Sequence, residues 1–130
     1  IEMPERVTDG TSLISIQRLV REVLVPEEVV RYAVRILLLT HPNEERAPEM
    51  VRKYVRAGAG PRGVQALVQA AKARAFLHNR FNVSYEDIAA VLMPCLRHRL
   101  FLNFEAEATG IRSEQILEEV AVTLRGQEAS

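Results

Sequence analysis

The chain has 130 residues, enough for one domain. Hydrophobic residues make up 48% and aromatic residues 5%, with no Trp, so the core must be aliphatic. Lys and Arg number 17, as do Asp and Glu, and a net charge of zero argues against a dedicated nucleic-acid binder.

Residues 1–10 carry Pro4, Asp9 and Gly10 without periodicity and read as a linker or a cut end. The chain opens on Ile1 rather than Met, so we expect a piece of something longer. Thr11 or Ser12 can cap a first helix, in which Leu13, Ile16, Leu19, Val20 and Val23 recur at helical spacing. Val25-Pro26 ends it, because the residue before a proline avoids the helical region. Pro26 also starts the next helix, with Glu27 and Glu28 in the favourable first turn. That helix runs to about Thr40 and is apolar nearly all round, which predicts the central buried element. Arg31 and Arg35 mark its polar stripe, and Glu27 is spaced to pair with Arg31.

Residues 41–48 form a polar loop between two prolines, with His41 placed to meet the last carbonyls of the helix before it. Residues 49–55 are a short helix, or a helix that turns extended. Gly58, Gly60 and Pro61 then break the chain. Pro61 sits where a first helical residue belongs, since its missing N–H is one a helix leaves unpaired. Val64, Leu67, Val68, Ala71 and Ala75 continue this long helix to about Asn79. After a connector at 81–83, Ser84 is an N-cap, with Asp87 three residues on as in a capping box. Ile88, Val91 and Leu92 give that helix its stripe; Pro94 bends or ends it, with one further turn available at 95–99. Leu100-Phe101-Leu102 is too short for periodicity to decide. Asn103 caps a short helix ending at Gly110, Ser113 caps the last one, and Gly126 is its expected stop. Ile116, Leu117, Val120, Ala121 and Leu124 make the cleanest stripe in the chain. The fold class is therefore all-α, a compact bundle of five to seven helices with at most a minor strand pair.

Charge is segregated along the chain. Arg52, Lys53, Arg56, Arg62, Lys72, Arg74 and Arg80 fall between Met50 and Tyr85 with no acid among them. Glu105, Glu107, Glu114, Glu118 and Glu119 follow, against Arg112. One face could meet an anion or an acidic partner, or the two blocks could lie against each other. Lys72 and Arg74 read as a solvated helix face. Arg62 is the oddity, because a helix N-terminus is positive and disfavours a cation. Either it points into water at a cost of a few tenths of a kcal/mol, or an anion sits between it and the N–H groups. Arg97-His98-Arg99 is a second basic cluster, open to a surface role or to ion pairs with Glu105 and Glu107. Its two arginines cannot share a helix face, but they could share one side of an extended segment.

No phosphate loop is present, so the chain cannot cradle a triphosphate by itself. One Cys and three scattered His give no zinc spacing, and nothing suggests a nucleophile, so the fragment alone is expected to be no enzyme. Cys95 reads as a small core residue. No run approaches the roughly 18 apolar residues of a membrane span, and residues 1–10 are polar and acidic, unlike a signal peptide. A cytoplasmic location is the resulting expectation. A helix-turn-helix reading fails on the apolar Val64-Gln65-Ala66-Leu67-Val68, which suits base readout poorly.

Taken in order, Gly58-Ala59-Gly60-Pro61-Arg62, Ala70-Ala71-Lys72-Ala73-Arg74-Ala75, Val83-Ser84, Glu86-Asp87-Ile88, Leu96-Arg97-His98-Arg99-Leu100 and Asn103-Phe104-Glu105-Ala106-Glu107 resemble the C-terminal lid domain of MoxR-type AAA+ ATPases. One departure is Gly60, where that family usually carries Ser. The resemblance implies a linker at 1–11 from a preceding ATPase core, a helical lid at 12–126 and a tail at 127–130. It implies ATP and Mg2+ in the parent protein, with none bound by this fragment alone. Arg62 would be the sensor arginine that reaches the ATP phosphates, beside Pro61 and Gly60. Arg97, His98 and Arg99 would make a structural or inter-subunit contact. Partners would be the ATPase core, the other subunits of a homo-oligomeric ring, a hexamer as the family implies, and client proteins, some with a von Willebrand factor A-type domain, the output being their chaperone-like remodelling or activation. The alternative is a free-standing helical interaction module that docks an acidic partner.

Overall fold

Three prolines and two local caps set most of the helix starts. The computed structural model describes residues 10–129. Among them seven helices and one short strand pair follow in order. They are α1 (Gly10–Arg21), α2 (Glu27–Leu39), α3 (Glu49–Tyr54), β1 (Val55–Ala57), α4 (Pro61–Leu77), α5 (Tyr85–Leu96), β2 (Phe101–Leu102), α6 (Phe104–Thr109) and α7 (Ser113–Ala129). This is the all-α bundle with a minor strand pair that the pattern predicts.

Pro26 and Pro48 cap α2 and α3 from extended backbone. Ser84 and Asp87 form a complete capping box at α5. Asn103 accepts from the Ala106 N–H at 2.9 Å, and Gly110 closes α6 in the left-handed region at φ 77°. The short apolar run at 100–102 resolves as β2, which lies antiparallel to β1 with Val55 opposite Leu102 and Ala57 opposite Phe101. The Asn103 N–H extends this pairing to Tyr54 O at 2.9 Å.

Four expected ends move. The first helix stops at Arg21, four residues short of Val25. Leu24 instead bonds the connector after α4, accepting from Val83 and donating to Phe81 O. Thr11 and Ser12 fall inside α1 rather than before it. At α7, Ser113 lies in the first turn, and the start is closed by Gln115 Oε1, which accepts the Arg112 N–H at 2.8 Å. Gly126 does not stop α7, which continues to Ala129; a glycine costs a helix only about 1 kcal/mol. The expected linker at 1–11 lies outside the described residues over 1–9, as does Ser130 of the expected tail.

The core is aliphatic. Ile36, Leu67, Ile88, Leu96, Ile116, Leu117 and Leu124 are fully buried. Helix α2 packs against α4, α5 and α7. It is not buried all round, because the apolar Val34 and Leu38 remain exposed. Glu27 and Arg31 pair at 2.9 Å on its solvent side, as their spacing predicts. The largest helix–helix contact joins α4 to α5. Among the described residues no helix is long and apolar enough to cross a membrane.

Candidate functional site

The loop before α4 is fixed from α2. Thr40 is buried at the C-terminus of α2, and its hydroxyl donates to Leu37 O at 2.6 Å. The same oxygen accepts the Ala59 N–H at 3.1 Å. His41 does not meet the carbonyls of its own helix through its ring; its Nε2 lies 2.9 Å from Ala59 O. A carbonyl only accepts, so that nitrogen donates. Both polar groups of Ala59 are thus satisfied by two consecutive side chains.

Two glycines allow this approach. A Cβ on Gly58 would stand 2.6 Å from Thr40 O, inside any real contact distance. A Cβ on Gly63 would stand 2.9 Å from Leu37 Cδ1 and 3.2 Å from Leu96 Cδ2. Gly63 therefore brings the first turn of α4 against α2 and the last turn of α5. Gly60 is different. It is the N-cap of α4 in extended backbone, it offers no side-chain cap, and a Cβ there would meet nothing within 4 Å. Pro61 takes the first helical position, as its chemistry predicts.

These constraints build an open cleft of about 570 Å³, a size suited to a small-molecule ligand. Gly58, Gly60, Pro61 and Arg62 line it from the loop and start of α4, and His98, Arg99 and Phe101 line it from the turn after α5 and from β2. The two basic clusters, separate in sequence, meet here. Arg97 does not line the cleft; it caps α5, and residues 97–99 form a turn rather than a strand. Arg62, Arg97, His98 and Arg99 are all exposed. Among the described residues none of the three arginines has an ion pair, so the pairing with Glu105 and Glu107 does not occur. Arg99 Nε donates to Cys95 O at 2.9 Å. Burial pushes the Cys95 thiol up, and the Arg99 charge offsets only part of that shift. Cys95 packs half-buried against the core, as expected, and is not an activated thiolate.

One charged cluster is not evident from sequence. Asp87, which also closes the capping box, is fully buried. It takes two hydrogen bonds from Arg80 and one from Arg74, each at 2.6 Å. It also accepts from the Ser84 N–H and hydroxyl at 2.9 and 3.1 Å. Burial alone would raise its pKa, but the bonds from Arg80, Ser84 and Arg74 hold it well below the usual carboxylate range. Arg74 is therefore not a solvated cation. The Arg80 spacing, seven residues before Asp87 across a turn, gives no helical signal that would reveal the pair. Helix α3, with Arg52 and Lys53, does pack against α6 and α7, but no ion pair among the described residues joins the basic stretch to the acidic one.

Comparison with known proteins agrees with this architecture. The family model of the AAA lid domain matches residues 47–120. The chaperone MoxR1 of Mycobacterium tuberculosis is 30% identical over 120 residues, which is 92% of this chain and 32% of that protein. The uncharacterised protein YeaC of Bacillus subtilis is 35% identical over 122 residues, 92% of this chain and 35% of that protein. A crystal structure of a candidate ATPase from Cytophaga hutchinsonii superposes with a TM-score of 0.83 at 34% identity, over 87% of this chain and 34% of that one. The chain thus spans about a third of the length of the relatives it matches. With its helical bundle, minor strand pair and match over residues 47–120, this chain belongs to the AAA lid domain family and is homologous to the MoxR chaperones.

Proposed function

We propose that this domain is the lid of a MoxR-like AAA+ ATPase and that Arg62 completes the parent's ATP site from the lid side. The observation that carries this reading is the position of Arg62. It stands exposed in the first turn of a 17-residue helix that has no acid in that turn and no side-chain cap. A cation there works against the helix dipole unless an anion lies nearby. The cleft it lines contains basic side chains and no carboxylate, which fits a phosphate group.

The preceding core would carry the phosphate loop and Mg2+. Arg62 would contribute a guanidinium where negative charge develops on the transferring phosphoryl group. Loss of that anion after hydrolysis would release the arginine and let the lid turn relative to the core. In a homo-oligomeric ring, that turn would pass the nucleotide state to neighbouring subunits and drive remodelling of a client, including one with a von Willebrand factor A-type domain.

The test compares ATP turnover by the full-length parent with its Arg62→Ala variant. Turnover should fall about 100-fold or more. Melting of the 130-residue chain should not change, because Arg62 has no ion pair among the described residues. Unimpaired turnover would overturn the role given to Arg62 and favour an interaction module that docks an acidic partner.

A further inference from the structure

We infer that Arg99 is a second anion-binding group of the same cleft and meets the nucleotide phosphates together with Arg62, an inference that rests on the ATP reading above. Arg62 and Arg99 lie far apart in sequence, on the first turn of α4 and in the turn after α5. Their shared cleft follows from the α4–α5 contact. Gly63 and Leu96 fix it at this end, since a Cβ on Gly63 would already crowd Leu96 Cδ2 at 3.2 Å.

The Arg99 side chain is partly ordered before any ligand arrives. Its Nε donates to Cys95 O at 2.9 Å, one of the carbonyls that the end of α5 leaves without a helical partner. A guanidinium has five N–H donors, so its terminal nitrogens stay available for a bidentate contact to a phosphate. Among the described residues no carboxylate pairs with it or with Arg62. Two arginines on one cleft repel each other weakly in water, and an anion between them reverses the sign. His98, which also lines the cleft, adds a ring N–H donor. Arg97, only two residues away, is excluded from the cleft and serves as the internal comparison.

The test uses equilibrium binding of a non-hydrolysable ATP analogue to the full-length parent, with subunit assembly followed by sedimentation. Arg99→Ala should weaken binding about tenfold or more. Arg99→Lys should recover part of that loss, and Arg97→Ala should bind as wild type. If Arg62→Ala loses affinity but Arg99→Ala does not, Arg99 is away from the phosphates and only this inference fails. If both variants bind as wild type, the ATP reading fails and takes this inference with it. If Arg99→Ala dissociates the assembly without altering nucleotide affinity, Arg99 meets an acidic group of another subunit, and the inference is overturned.

Discussion

Thr40 and Ala59 lie 19 residues apart and share one hydrogen bond, from the Ala59 N–H to the Thr40 hydroxyl at 3.1 Å. That hydroxyl donates in turn to Leu37 O, so the end of α2 holds the loop that starts α4. His41 completes the clamp on Ala59 O. The position of Arg62 is therefore set by a buried polar contact three residues upstream. The contact is satisfied on every side, which is the condition under which a buried hydroxyl stabilises rather than costs.

Gly58→Ala should destabilise the domain by about 1–3 kcal/mol. The added Cβ would stand 2.6 Å from Thr40 O and 2.8 Å from Thr40 C, which are backbone atoms and cannot swing aside. Relief requires the loop to lift off α2, which breaks the Ala59 N–H bond. Thermal melting of the 130-residue chain measures the effect. A melting temperature equal to wild type would mean that the loop is not held as closely as described.

Gly60→Ser should have the opposite sign and a small size. Gly60 is the N-cap of α4, its backbone is extended, and a Cβ there meets nothing within 4 Å. A serine hydroxyl could accept an N–H of the first turn, worth a few tenths of a kcal/mol over glycine at such a position. Denaturant unfolding of the two chains side by side would resolve the gain, and a loss of stability would contradict the capping geometry.

What the sequence made legible was local. Pro61, the Ser84–Asp87 box and the Asn103–Gly110 pair each act within a few residues, so their chemistry can be read along the chain. The helical stripe of α7 is legible for the same reason, since Ile116, Leu117, Val120 and Leu124 are all buried. What was not legible needs the fold. Arg74 looks like one more solvated cation on α4 until α5 places Asp87 against it. His41 looks like a helix-end residue until the glycine loop crosses over it. Arg62 and Arg99 are each odd alone, and only the packing of α4 on α5 puts them on one cleft.

Asp87→Asn should destabilise the domain by about 3 kcal/mol, the lower end for breaking a buried ion pair. The lower end applies because the Arg74 and Arg80 side chains are 30% and 37% exposed and can recover water. For a chain of this size that is roughly 10 °C in melting temperature. The same carboxylate fixes a pH dependence. Its folded pKa lies below the ordinary value near 4 that it has when unfolded. The folded state therefore resists protonation while the unfolded state accepts a proton, and the contribution of Asp87 is complete above about pH 5 and lost as pH falls below about 4. Melting of wild type should decline over that acid range, and the Asp87→Asn chain should decline less steeply. Parallel acid profiles for the two chains would show that the buried carboxylate is not the group being titrated.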